Sequence, residues 1–395
     1  MRLLFFNRSA APLGGGMNRL VTDTARRLRD AGHEVALVHS RNGGQFDGTG
    51  YIYDDLDYRM LPRDANALRL EAILEDFSPE VIQLHGVGNT LLDGWLSSRV
   101  PTVRFVHNHA FYCSGQRLTL ERPHEPCQRA HGRGCCAMHV FRGCGSWNPA
   151  LNFLRYRSVN RSLRALSSVH GLQVLSSSLR RQLVANGLSE NRVMQLPPYA
   201  PPPTAPVFES VSSHRSILHV GGLLGHKGVW MVVRMLRELP PDVQLIFAGG
   251  GGEISMLQSH VKRRGLGNRV RIVGEPTPEQ WSLLYREATL VVMPVLWNEP
   301  LGLDGLSAMA HGKPVVAFET EGIRDWLSDG ETGVCIEFGH RRRFRAAVCD
   351  LLNDRERLLM LGRRSRQIWE QKFQPEQHLA ALVASYEKVK TEAVL

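Results

Sequence analysis

Along the chain, short apolar runs alternate with segments whose apolar residues recur every three or four positions, and glycine-bearing loops lie between them. Leu3 to Phe6 reads as a buried strand. After the loop NRSAAPLGGG, the residues Leu20, Val21, Ala25 and Leu28 share one helical face, and that helix should end near Gly32, before a second strand EVALV. Beyond residue 215 the alternation is denser. SILHV (216–220), VQLIFA (243–248), RVRIV (269–273) and LVVMP (290–294) are each followed by a loop rich in glycine or proline. Strands that alternate with helices predict parallel sheets covered by helices.

The clearest interruption is PPYAPPPTAP, 197–206, with six prolines in ten residues. It cannot continue a helix or a central strand and predicts a stiff connector between two doubly wound α/β halves. The length of 395 residues, 43% apolar and 22% charged, suits two such domains. Only four apolar residues run together in the opening MRLLFFNRS, too few for a signal-peptide core, and no segment approaches the roughly 18 of a membrane span. The expected location is cytoplasmic.

Charge adds a local feature. Between 99 and 181 there are thirteen arginines against Glu121 and Glu125, within a formal net charge of +10. Such a region attracts anions. Equally, it suits the surface of a chain that favours arginine, since the first lysine is Lys227. No helix-turn-helix, zinc-finger or RNA-binding signature places the charge on bases, so nucleic acid is not an expected partner.

Gly14, Gly15 and Gly16 lie between the first strand and its helix, where backbone N–H groups can meet a phosphate, or where a plain tight turn is needed. In the second half, GGLLGHKG, GGGG, GEPTP and VLWNEPLG each follow the carboxyl end of a strand. Four loops on one sheet edge predict a nucleotide-sized cleft.

The segments VGGLLGHKG, FAGGGGE and RVRIVGEPTPEQWSLLYREATLVVMPVLWNEPLGLDGLSAMAHGKPVVAFETEGIRDWLSDGETG together resemble the donor domain of retaining GT-B glycosyltransferases of family 4. GGMNRLVTDTARRLRDAGHEV and PTVRFVHNHAFYC are similar to that family's acceptor domain. The resemblance implies a GT-B fold of two Rossmann-like domains: an acceptor domain over 1–200, a nucleotide-sugar domain over 207–372, and a final helix, 373–395, returning to the first domain. It implies transfer of a sugar, most often UDP-linked, to an acceptor hydroxyl with retained configuration and no required metal. Electrostatics would then carry most of the catalysis. By the resemblance, Lys227 and the Gly15–Gly16 loop meet the diphosphate. Glu299 holds the sugar hydroxyls beside the backbone N–H groups of Leu301, Gly302 and Leu303, and His107 lies near the donor sugar. Without that resemblance, Lys227 reads as a surface charge, Glu299 as a helix-entry carboxylate, and His107 and His109 as structural histidines.

Two positions depart from the family. Gly222 stands where an arginine is usual, five residues before Lys227; Arg8 and Arg19, beside the glycine loop, are candidate replacements. Ser307 stands where a second carboxylate normally binds ribose. Asp304, three residues earlier and on the same helical face, either makes that contact, with or without Ser307, or caps the helix.

Five of the seven cysteines, Cys113, Cys127, Cys135, Cys136 and Cys144, fall within 113–144. They predict a structural zinc or iron–sulfur site, disulfides, or free thiols; a Cys-x-x-Cys pair is absent. The segment follows His107 and should shape acceptor recognition. Downstream, Leu151, Leu154, Val159, Leu163 and Leu166 interleave with Arg155, Arg157, Arg161 and Arg164, predicting a basic amphipathic helix that either faces solvent or rests on an anionic membrane. The acceptor remains a glycan, a lipid or a natural product. Three functions follow: an active glycosyltransferase, a degenerate GT-B binding protein, or a metal- or redox-responsive protein centred on the cysteines.

Overall fold

The computed structural model describes residues 1–10, 16–42, 44–53, 56, 65–204 and 215–394. The first half is a sheet of seven strands in spatial order β3-β2-β1-β4-β5-β8-β9. These are β1 (Arg2–Phe6), β2 (Glu34–His39), β3 (Thr49–Ile52), β4 (Val81–Leu84), β5 (Thr102–Phe105), β8 (Gly171–Val174) and β9 (Val193–Gln195). The strands β6 (Thr119–Glu121) and β7 (His124–Pro126) form a separate antiparallel hairpin. The second half has six strands ordered β12-β11-β10-β13-β14-β15. They are β10 (Ser216–Val220), β11 (Gln244–Ala248), β12 (Val270–Gly274), β13 (Leu290–Met293), β14 (Val315–Phe318) and β15 (Gly333–Ile336). Every pairing inside the two large sheets is parallel.

The apolar runs explain the layering. Leu3 to Phe6 and the whole of Leu290–Met293 are buried, as strands covered on both faces require. In the helix Gly16–Asp30 the buried side chains include Leu20, Val21, Ala25 and Leu28, the face expected from periodicity. One hydrophobic cluster runs from Leu3 and Phe5 through Tyr199 to Met293, Trp326 and Trp369, so the two halves share packing.

Chain crossing adds to that contact. Residues 197–204 run without regular structure, and 205–214 lie outside the described residues. The helix Pro375–Val394 packs on the helix Gly16–Asp30 and on β5. It is tied there by Gln173 Nε2 to Ser385 Oγ (2.7 Å) and by a bond between the His378 ring and the Pro197 carbonyl (2.8 Å). Among the described residues, no helix is long and apolar enough to cross a membrane.

The helix Pro149–Ser168 differs from its expected face. Val159 and Leu166 are buried, but Leu151 and Leu154 point outward. Neighbouring Phe141, Trp147 and Phe153 are exposed as well.

Candidate active site

Segments beyond the carboxyl ends of both sheets meet, as at Arg19–Asp304 and at His109 with Asn298 in the loop 294–302 after β13. Gly302 has φ +87°, a left-handed conformation that costs glycine little, and it opens the helix Leu303–Ala310. The first N–H groups of that helix lack intrahelical acceptors. A Cβ added to Gly16, at the start of the first helix, would stand 3.6 Å from the Leu303 Cβ. Two helix N-termini from different halves therefore meet, giving a positive pole on each side of one gap. Gly14 and Gly15 lie outside the described residues.

Lys227 and Glu299 come together from separate loops. Lys227 Nζ lies 2.7 Å from Glu299 Oε2, with both side chains largely shielded from solvent. Trp297 Nε1 donates to the same oxygen (2.8 Å), and its ring lies 5.1 Å from Nζ. The carboxylate is thus fixed in orientation by two donors and keeps Oε1 for another hydroxyl. His226 stands edge-on to Trp297 at 5.3 Å. Burial, followed by Lys227 and Arg117, pushes its pKa down to about 4.

Asp304 is not a cap: the N-cap is Gly302, and no side chain caps this helix. Its Oδ1 accepts from Arg19 Nη2 at 2.8 Å, joining the two halves. The Arg19 guanidinium also covers the Trp281 ring at 4.4 Å. Ser307 Oγ donates to the Leu303 carbonyl (3.2 Å), a bond within its own helix. Ser307, Arg19, Trp281, Tyr285 and His311 line a cavity of about 130 Å³ beside the connector. Arg8 lies at the end of β1, with its carbonyl bonded to Ser40. A Cβ on Gly222 would meet nothing closer than 3.6 Å, so that position has room for a side chain.

His107 follows β5 and stacks on Phe105 at 4.4 Å; its Nε2 lies 3.1 Å from His85 Nδ1. Desolvation pushes its pKa down to about 3, so the ring is neutral. The histidine that reaches the loop after β13 is His109. Its Nε2 lies 2.6 Å from the Asn298 carbonyl, which can only accept, so Nε2 carries the proton. Burial pushes its pKa down to about 4, leaving Nδ1 to accept from Tyr112 OH at 2.5 Å.

The cysteine segment contacts the same loop. Thr119 Oγ1 and the Arg117 carbonyl accept from the Asn298 N–H at 2.8 and 3.3 Å, and the His124 ring donates to the Leu296 carbonyl (3.2 Å). From the sequence His109 reads as a structural histidine, and no pattern marks Thr119, Trp297 or Asn298. Their roles rest on contacts between residues up to 189 positions apart, which no local pattern encodes.

The metal expectation is corrected. Among the described residues, no three His, Cys, Asp or Glu side chains converge as a metal would require. Cys113, Cys127, Cys135, Cys136 and Cys144 are free thiols, and disulfides are absent there as well. Cys113, Cys127, Cys135 and Cys144 line one small pocket with His131 and His139, and Cys136 is outside it. Burial pushes the Cys113 and Cys127 thiols up, and that of Cys144 to about 12, so they stay protonated. His139 is already engaged by Ser114 Oγ at 2.7 Å and Cys144 Sγ at 3.4 Å.

Two parallel α/β sheets facing a shared cleft define the GT-B class. Residues 14–202 match the family described as Glycosyltransferase Family 4, and 206–368 match Glycosyl transferases group 1. The chain is therefore a glycosyltransferase of the GT-B fold. It is 27% identical over 386 residues to D-inositol 3-phosphate glycosyltransferase of Thermobispora bispora, covering 88% of this chain and 84% of that protein. It is 32% identical over 143 residues to alpha-D-kanosaminyltransferase of Streptomyces kanamyceticus, covering 35% of this chain and 37% of that protein. In structure it is similar to Anabaena HepE in complex with UDP and glucose, with a TM-score of 0.72, 16% identity and all of both chains covered. Sucrose-phosphate synthase of Thermosynechococcus elongatus gives a TM-score of 0.71 at 19% identity, with 99% of each chain covered.

Proposed function

We propose that this chain is a retaining hexosyltransferase that moves a sugar from a UDP-linked donor to a hydroxyl of a glycan, lipid or natural-product acceptor. The observation that carries this reading is the Lys227–Glu299–Trp297 group at the carboxyl edge of the second sheet. Glu299 would accept from the sugar hydroxyls. Lys227 would then turn toward the diphosphate, and the N–H groups of Leu301, Gly302 and Leu303, with the Gly15–Gly16 loop, would complete an anion site at the facing helix ends. As the diphosphate leaves, its growing charge is met by fixed donors, which lowers the barrier without solvent reorganisation. His107, neutral and stacked, would sit beside the donor sugar. No step assigned to these residues needs a metal or a cofactor.

The ribose contact falls to Asp304, which would share its carboxylate with Arg19. Asp304→Asn should weaken UDP binding; unchanged affinity would remove Asp304 from the donor site. Acceptor binding is assigned to the first half, 1–200, and donor binding to 207–372, with the last helix, 373–395, closing the two. The exposed Phe141, Trp147 and Phe153 beside Arg122 and Arg157 support peripheral contact with an anionic membrane from the cytoplasmic side, in keeping with a lipid acceptor.

A thermal-shift panel of nucleotides and nucleotide sugars tests the donor class. UDP at about a hundred times its dissociation constant should stabilise the fold by about 2.7 kcal/mol. A panel in which no nucleotide raises the melting temperature would sink the active-enzyme reading. Product NMR then reads the anomeric configuration.

A further inference from the structure

Gly222 leaves the donor loop without its expected cation. Of the candidate replacements, Arg19 is held by Asp304 at 2.8 Å and covers Trp281. The geometry points instead to Arg117, in the cysteine segment of the opposite half, as the cation that meets the diphosphate of the donor nucleotide.

Three observations support it. First, the Arg117 carbonyl is bonded to the N–H of Asn298, whose neighbours Trp297 and Glu299 both contact Lys227. The Leu296 N–H bonds to the His226 carbonyl (2.7 Å), so the loops bearing Arg117, Glu299 and Lys227 form one seam. Second, the side chain of Arg117 is exposed, and among the described residues its guanidinium makes no ion pair or hydrogen bond. Its charge reaches His226, the residue beside Lys227, and helps to depress that ring.

Third, the backbone on either side of Arg117 is strained. Three non-glycine residues among those described have left-handed φ, and two of them are Gln116 (+66°) and Leu118 (+49°). A branched side chain such as leucine rarely adopts that conformation, and such strain persists only where the surroundings impose it. Here the surroundings are the cysteines. Gln116 N–H bonds to the Cys113 carbonyl (2.9 Å), Cys127 N–H bonds to the Leu118 carbonyl (2.8 Å), and Gly115 packs so closely on the Cys144 carbonyl that a Cβ would come within 2.4 Å. The cysteine segment is thus a frame that holds one arginine over the seam. Lys227 shares its charge with Glu299, so a second cation is needed beside it, and the Arg117 guanidinium, which makes no ion pair among the described residues, has its charge to offer a diphosphate. Its planar donors suit two phosphate oxygens at once.

This inference rests on the nucleotide-diphosphate reading above, and calorimetry on the full-length chain separates the two. UDP and uridine are titrated into the native protein and into Arg117→Ala. Arg117→Ala should weaken UDP binding tenfold or more and change uridine binding less than twofold. Arg117→Lys should keep most of the UDP affinity. Gly222→Arg, placed in the Arg117→Ala background where the fold has room, should restore UDP binding to within about threefold. A purely structural role for Arg117 would move uridine and UDP together and would not respond to Gly222→Arg. Native protein that binds UDP, with Arg117→Ala binding it equally well, overturns the assignment and leaves the donor reading intact. Native protein that binds neither UDP, GDP nor ADP overturns the donor reading itself. Should Arg117→Ala fail to fold, Arg117→Gln makes the same comparison.

Discussion

The loop 294–302 after β13 and the segment 113–144 after β5 both follow carboxyl ends of parallel strands and bond to one another, yet they are built in opposite ways. The loop after β13 keeps its chemistry in side chains: Glu299 and Trp297 act through an oxygen and a ring, and one glycine, Gly302, supplies the turn. The segment after β5 works mainly through backbone. Its Arg117 carbonyl, its cysteine N–H and C=O groups and its two left-handed residues set a shape. Side-chain chemistry leaves a trace in residue identity, whereas backbone shape leaves almost none.

The comparison breaks first at Lys227. Lys227→Ala should lower the transfer rate roughly a hundredfold or more, about 3 kcal/mol, measured by steady-state turnover, because the partly buried cation proposed to meet the developing charge is lost. A fall of only twofold would mean that the Lys227–Glu299 group is not where the charge is met. Next is His109, the ring between the two regions. His109→Phe keeps the volume but strands the Asn298 carbonyl and the Tyr112 hydroxyl, and should cost about 2 kcal/mol in a urea titration.

Acid should loosen the same seam. His107 is pushed down to about 3, and His109 and His226 to about 4, from an ordinary value of 6.5. The unfolded chain therefore binds more protons than the folded one between about pH 6.5 and 4. The stability these neutral rings contribute is present above 6.5 and is lost as pH falls through that window. For a fully buried ring the loss is on the order of 2 kcal/mol by pH 5. A melting temperature that stays level from pH 7 to pH 5 would contradict this. A smaller effect is expected at Thr119. Thr119→Val removes the nearer acceptor of the Asn298 N–H and should cost about 1 kcal/mol, since the Arg117 carbonyl remains at 3.3 Å. Ser307→Ala should be nearly silent, within about 0.5 kcal/mol and with UDP affinity unchanged, because the hydroxyl is bonded within its helix. A clear loss of UDP affinity would return Ser307 to the ribose contact.

The same contrast explains what the sequence could disclose. Strands and helices were readable because buried parallel strands need unbroken apolar runs and their covering helices need one apolar face, as in Leu3 to Phe6 and Leu20 to Leu28. Lys227 and Glu299 stood out because the resemblance matched both in order; their 2.7 Å contact adds the geometry. Spacing along the chain left metal, disulfides and free thiols open for the cysteines; four of them do line one pocket, as free thiols beside His131, His139 and Ser114. The tie between Asp304 and Arg19 spans 285 positions, and a capping pattern pointed elsewhere. Nothing in the letters around Arg117 marks Gln116 and Leu118 as left-handed.

One bond in the seam also offers a clock. The amide proton of Asn298 belongs to the second half, but both of its acceptors belong to the first. It can exchange with solvent deuterium only when the halves part. Its exchange rate therefore counts openings of the cleft, and a bound nucleotide that holds the cleft shut should slow that one amide more than its neighbours within either sheet.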